Sequence, residues 1–297
     1  MKREIIAQDV IKVKEILLGL FGSENYSELS RMGGLTNHTY KVVIDDDMYS
    51  VRIPGEGTEA MINRTDEKVS TKLACEIGID ANLLYFDDKG VKVTEYIKNA
   101  VTMSAESLRD LSNIKLVAEV LKKLHSCGAD TKVSFDVFEM AESYEKIIKI
   151  NNVDMYGDYA YVKSRVKEIK SEIDSLVNIK KVPCHNDPLC ENWVKSNDRM
   201  YLIDWEYAGM NDGMWDVADV STEAGFTEEL DTIILREYLG REPEVADKKH
   251  MLANKIYADY LWTLWAKTRV PYDGQPMEDW AAERYQRLKI FISQYEK

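Results

Sequence analysis

The run His185-Asn186-Asp187-Pro188-Leu189-Cys190-Glu191-Asn192 sets an aspartate two positions after a histidine and an asparagine five positions after that aspartate. Twelve positions further on comes Asp204, within Leu202-Ile203-Asp204-Trp205-Glu206. Such a set suits phosphoryl transfer. One carboxylate can orient an acceptor hydroxyl and take its proton, while an amide oxygen and a second carboxylate hold Mg2+ against phosphates, because that hard cation takes oxygen ligands. On this chemistry Asp187 is the base, and Asn192 and Asp204 hold the metal. The other reading is a hairpin loop capped by polar residues, which leaves two acids without a task.

Two further groups could do chemistry. Gly33-Gly34-Leu35-Thr36-Asn37-His38-Thr39 is a glycine-bearing turn between expected strands, where backbone N–H groups and the side chains of Thr36 and Asn37 could approach phosphates. Taken alone it reads first as a hairpin turn, since glycine adopts positive φ at little cost, and in company with the downstream motif it becomes a phosphate-covering loop. Near the carboxyl terminus, Trp262 and Trp265 are three apart and share a helix face, and with Trp280 they could form an aromatic box for a quaternary ammonium. Aromatic residues at helical spacing also serve as plain core.

Taken together, His185–Asn192 and Ile203–Glu206 resemble the HxDxxxxN and IDxE motifs of choline and ethanolamine kinases and of aminoglycoside phosphotransferases, with a bacterial LicA-type choline kinase the nearest in kind. The resemblance runs from Gly33 to Trp280 and implies an α+β, bilobal protein-kinase-like fold, with a small β-rich N-lobe and a larger, mostly helical C-lobe. It implies ATP and Mg2+ as cofactors. It also implies that Gly34, Thr36 and Asn37 cover the phosphates, and that Arg52, in Tyr49-Ser50-Val51-Arg52-Ile53, clamps them where a protein kinase uses lysine. Glu67 would pair with Arg52, although a solvated helix face is the other reading of that residue. Glu95 and Ile97, in Thr94-Glu95-Tyr96-Ile97, would offer backbone to the adenine edge. His185 and Asp216 would brace the catalytic loop.

For the acceptor, the WxxW pair resembles the choline-site helix of choline kinases, and Trp215 to Glu223 resembles their FDIGNxxxE stretch, which carries an ammonium-facing role over to Glu223. Glu206 would add to an acidic wall. Trp280 and Met277 stand where the eukaryotic enzymes have other residues. The implied reaction is phosphorylation of choline; ethanolamine, thiamine or an aminoglycoside are alternative acceptors, and a nucleotide-binding pseudokinase is a further alternative. Neither DFG nor APE is present, which disfavours a protein kinase.

Positioning these residues requires two kinds of element. Val10, Val13, Leu17 and Leu20 mark an amphipathic helix, and residues 28–53 read as strand, glycine turn, strand, acidic turn, strand. A helix over 63–77 and strands near 83–86 and 91–96 follow. Beyond residue 98 the periodicity is helical over 104–125, 144–150, 161–176, 243–269 and 277–296, interrupted by short strands at Trp193–Lys195 and Met200–Ile203. The expected division is therefore a nucleotide-binding lobe over 1–97 and a helical lobe over 98–297 carrying the catalytic loop and acceptor site.

With 297 residues and 45% hydrophobic content the chain can bury a large core. Asp and Glu exceed Lys and Arg, 52 to 39, which disfavours nucleic acid as a partner and suits a cationic small molecule. The charge-broken amino terminus lacks a secretory apolar core, and no run approaches a membrane span, so the expected location is cytoplasmic. Cys75, Cys127, Cys184 and Cys190 form no CxxC pair and are expected to be reduced thiols. Oligomeric state leaves no mark on the sequence.

Overall fold

The amphipathic face expected over Val10–Leu20 belongs to helix α1 (Ala7–Phe21), which buries Val13 and Leu17, one turn apart. They pack on one face of a sheet formed by β1 (Glu28–Arg31), β2 (His38–Ile44), β3 (Asp47–Ile53), β4 (Leu83–Phe86) and β5 (Lys92–Glu95). Period-two alternation supplies that face: Tyr40 and Val42 from β2, Val51 and Ile53 from β3, and Val93 from β5 are all essentially inaccessible to solvent. The strand order is β1-β2-β3-β5-β4, with antiparallel neighbours throughout. The acidic turn between β2 and β3 places Asp45 at φ 51°, a conformation aspartate tolerates better than most residues.

This computed structural model describes residues 6–32, 37–55 and 62–297. Gly33, Gly34 and Thr36, expected to lie over the phosphates, fall outside the described residues. By contact the chain divides into two units, Met1–Thr102 with Asn192–Ala208, and Met103–Glu191 with Gly209–Lys297. The expected cut at 97/98 is continuous, whereas these units are not: the hairpin of β8 (Trp193–Ser196) and β9 (Arg199–Leu202) groups with the first unit. There β8 pairs with β6 (Val101–Thr102), the Leu202 N–H donates to the Ile79 carbonyl at 2.9 Å, and Trp205 Nε1 donates to Asp80 Oδ2 at 3.0 Å. Helix α2 (Arg64–Glu76) completes this unit, its first amides capped by the Asn63 side chain, a contact worth about 1 kcal/mol.

The second unit is helical around one short antiparallel pair, β7 (Lys181–Cys184) with β10 (Gly209–Asp212). Its helices are α3 (Ala105–Leu108), α4 (Leu111–His125), α5 (Val137–Ile150), α6 (Tyr159–Leu176), α7 (Gly213–Ala224), α8 (Glu228–Leu239), α9 (Val245–Asp273) and α10 (Gln275–Tyr295). α9 is buried nearly all round between His250 and Thr268 and packs against α5, α7 and α10. α7 and α8 have no counterpart among the helices expected from periodicity. Among the described residues no helix is long and apolar enough to cross a membrane. All four cysteines are free thiols, as expected.

Candidate active site

At the end of β7 the chain turns through His185 and Asn186, both wholly buried, with Asn186 in the left-handed region at φ 66°. The Asp216 carboxylate, in the first turn of α7, accepts both of their amide N–H groups at 2.8 Å. It also meets His125 Nε2 at 3.0 Å, and His125 Nδ1 meets the Tyr238 hydroxyl at 2.8 Å. Gly213 makes room for this chain, because a Cβ there would lie 2.8 Å from the Tyr238 hydroxyl and 2.9 Å from His125 Nδ1. Trp215 Nε1 donates to the Asn186 carbonyl at 3.0 Å, and Asn211 Nδ2 donates to its side-chain oxygen at 2.9 Å. Asp187, half-buried, thus follows a backbone fixed from several sides, and its own N–H donates to His185 Nδ1 at 3.3 Å. Burial, then the charge of Asp187, raises the hydroxyl pKa of Tyr144 on α5 above its ordinary value.

A 3₁₀ turn, Cys190–Asn192, leads into β8. In the hairpin Trp193 opposes Leu202, and beyond that pair the Ile203 N–H donates to the Asn192 carbonyl at 3.0 Å. Asn192 and Asp204 therefore stand beside each other at the hairpin mouth, within the first unit. Asp204 takes φ 71°, which breaks the strand direction immediately after β9, and the buried Trp205 anchors the turn.

Asp204 joins a network that strand β3 and helix α2 supply from the same unit. Arg52 Nη1 donates to Asp204 Oδ1 at 2.9 Å, and Arg52 Nη2 pairs with Glu67 and donates to the Gly90 carbonyl at 3.2 Å. The pairing of Glu67 with Arg52 is thus present, and Glu67 is fully buried. Arg64, which no motif signalled, donates to Glu67 Oε2 at 2.7 Å and to Glu206 Oε1 at 2.6 Å. Glu206, expected in an acidic wall for the acceptor, also accepts from Asn37 Nδ2 at 3.1 Å and lies 3.6 Å from Arg52. Burial works against the charge on both arginines, but their carboxylate partners outweigh it and raise each guanidinium above its ordinary pKa.

At the hairpin mouth Asp204 is the carboxylate open to a hard divalent ion, its side chain one-third exposed. Glu67 and Glu206, whose oxygens lie with it within 4.8 Å of one another, are nearly closed off and engaged by Arg52 and Arg64. Glu95 ends β5 with an exposed side chain that accepts from Asn82 Nδ2 at 2.9 Å, the Tyr96 amide donates to the Met48 carbonyl at 2.9 Å, and Ile97 follows, half-buried.

In the second unit, Trp262 and Trp265 of α9 meet edge to face at 6.3 Å and 86°, and Trp265 meets Trp280 of α10 at 6.0 Å and 73°. The three tryptophans form one wall. Glu223, expected to face an ammonium, lies 2.8 Å from Arg284 Nη2, and the Arg284 guanidinium sits 3.9 Å over the Trp280 ring. Asp259 completes the arrangement, 3.3 Å from Arg284 and 2.6 Å from Arg287. Sequence reasoning missed Arg284 and Asp219. Both carried a helical signal: Arg284 lies four residues after Trp280, and Asp219 lies between Asp216 and Glu223 on the face they share.

The choline/ethanolamine kinase family model matches residues 30–246. A protein LicA of Haemophilus influenzae is 28% identical over 261 residues, covering 84% of this chain and 96% of that protein. Among solved structures, a choline/ethanolamine kinase family protein from Mesorhizobium loti superposes with a TM-score of 0.84 at 32% identity, covering 95% of this chain and 94% of that one. The choline kinase LicA from Streptococcus pneumoniae superposes with a TM-score of 0.82 at 30% identity, covering 97% and 100%.

Proposed function

Since the chain belongs to the choline/ethanolamine kinase family and is a kinase, we propose that it transfers the γ-phosphate of ATP to the hydroxyl of choline, giving phosphocholine and ADP. The observation that carries the choice of acceptor is the wall of Trp262, Trp265 and Trp280 beside the acidic face of α7. A quaternary ammonium has no N–H to donate, so aromatic faces and nearby carboxylates are the groups that recognise it.

Asp187 takes the hydroxyl proton as the oxygen bonds to the γ-phosphorus and the bond to the β–γ bridging oxygen breaks. His185 and Asp216 fix the backbone that presents Asp187. Arg52, oriented by Glu67, clamps the phosphates, Asn37 with Gly34 and Thr36 covers them, and the backbone at Glu95 and Ile97 takes the adenine edge. Asn192 and Asp204 hold Mg2+, which when bound neutralises charge on the phosphate oxygens. Glu206 keeps Arg52 and Arg64 in place from the side of Asp204. Glu223 acts on the acceptor side with the tryptophans. A donor of this kind is available in the cytoplasm, where we place the protein.

ADP release measured with choline, ethanolamine and a panel of aminoglycosides is expected to show the highest kcat/KM for choline; an equal or lower value for choline refutes the acceptor assignment. In the same assay Trp262→Ala is expected to raise the KM for choline by about 10-fold to 30-fold, the worth of one desolvated cation–π contact. Ethanolamine, whose primary ammonium is recognised by hydrogen-bond acceptors, should change by less than about threefold. Equal losses for the two acceptors would remove Trp262 from cation recognition.

A further inference from the structure

We infer that Asp219 is the carboxyl that meets the acceptor's cationic nitrogen. The inference rests on the acceptor assignment above and adds a specificity-determining residue to it. Asp216, Asp219 and Glu223 lie on one face of α7, separated along its axis by about 4.5 Å and about 6 Å. At one end Asp216 holds the backbone that leads into Asp187, and at the other Glu223 meets Arg284, stacked on Trp280. Asp219 occupies the step between the hydroxyl-activating loop and the tryptophan wall. In a two-carbon amino alcohol the nitrogen lies one short step beyond the hydroxyl.

Its surroundings single it out. Asp219 is wholly inaccessible to solvent, and neither carboxylate oxygen has a hydrogen-bond partner. A buried carboxyl kept for structure is ordinarily bonded to amides or a cation, as Asp216 and Asp259 are here. Glu223 already has Arg284. The charged and titratable groups that reach Asp219 include Asp216 and Glu223 on its own helix, Asp187 and the Cys190 thiol from the loop, and Arg284 and Arg287 from α10, both tied to Asp259 of α9. Of the other titratable groups packed around α7, His125 is engaged with Asp216 and Tyr238, Asp212 with His250, and Lys255 with Asp231, while the Cys184 thiol beside Asp216 is pushed up by burial. Two guanidinium groups among five carboxyls leave an excess of negative charge, and burial followed by the charge of Glu223 holds the Asp219 carboxyl protonated well above the usual carboxylate range.

An incoming cation reverses both effects and makes the ionised form the stable one. The sign follows from the raised value in the free protein: where Asp219 is protonated before binding and ionised after it, choline affinity rises with pH, by at most about tenfold per pH unit for one proton released. A neutral amide at this position can neither release a proton nor balance the charge.

Choline is titrated calorimetrically into the wild-type chain with saturating ADP, in phosphate and in Tris at the same pH. The apparent binding enthalpies are expected to differ by the ionisation enthalpy difference of close to one proton released per choline. In Asp219→Asn the two buffers should give equal enthalpies, with the KM for choline raised by about 30-fold or more and the KM for ATP unchanged. Choline binding without proton release in the wild-type chain overturns the inference and leaves the acceptor assignment standing. Absence of any choline heat or turnover overturns the assignment itself. Because the first measurement uses the wild-type protein, poor folding of the variant does not shield the inference.

Discussion

Asp187→Asn is expected to lower kcat by about 10²-fold to 10⁴-fold, the usual worth of a positioned general base, with the Kd for ATP changed by less than about threefold. The substitution is nearly isosteric, and several contacts that shape the loop are made by other groups. Asp216 holds the two preceding amides, Trp215 and Asn211 hold Asn186, and the Asp187 contact to His185 comes from its backbone N–H. What is lost is chiefly the acid–base group. ATP binding should survive because Arg52 and Asn37, to which the phosphates are assigned, belong to the other unit and are held by Glu67, Asp204 and Glu206. Turnover and calorimetric ATP affinity measured on one preparation separate the two effects. A kcat within tenfold of wild type would remove Asp187 from proton transfer.

The fold was legible where one face of an element is wet. β2 alternates cleanly because only one side of the sheet meets α1, and α1 shows its stripe for the same reason, whereas in β3 the buried Arg52 interrupts the alternation. α7 was illegible for the opposite reason. Eleven of its twelve residues are buried, among them Asp216, Asp219, Ser221 and Thr222, so no polar stripe marks its period. α8 buries only Ile234 and Leu235 and has little periodicity, although Thr227 before it and Gly240 after it are ordinary capping signals. The short pairing of β7 with β10, from Gly209 with Cys184 to Asp212 with Lys181, joins four-residue strands far apart in the chain, one containing Pro183, and local pattern carries no trace of such a partner. The same limit hid the grouping of the β8–β9 hairpin with the first unit, which depends on β6 and on the loop at Ile79 and Asp80.

Within the site, residues set by short offsets were legible and their countercharges were not. The run from His185 to Asn192 and the later Asp204 carry a fixed order of chemistry, so their types and spacing suffice to name roles. Arg64 and Arg284 are recognisable only as the cations that buried acids require. A reading that asked which cation neutralises Glu206 or Glu223 would have sought an arginine, since desolvated carboxylates are rarely left alone. Asp219 is the exception that this logic exposes, an acid whose partner is not supplied by the described residues.

The largest loss of stability is expected from Glu67→Ala. Glu67 is wholly buried and holds two guanidinium groups, pairing with Arg52 through one oxygen and accepting from Arg64 at 2.7 Å through the other. Removing it leaves Arg52 and Arg64 desolvated and short of one carboxylate, with Asp204, Glu206 and the Gly90 carbonyl among the partners that remain, and breaking a buried pair from one side costs about 3–5 kcal/mol. Glu67→Gln keeps the shape and one acceptor, so its cost should be nearer about 1–3 kcal/mol. Function should follow the same order, because Arg52 released from Glu67 no longer points at the phosphates in one rotamer; the KM for ATP is expected to rise by about tenfold or more in the alanine variant and less in the glutamine variant. Denaturant midpoints and ATP kinetics on the three proteins give both readouts. A midpoint for Glu67→Ala equal to that of wild type would mean that the two arginines find other partners, and the role of Glu67 in setting the phosphate clamp would fall with it.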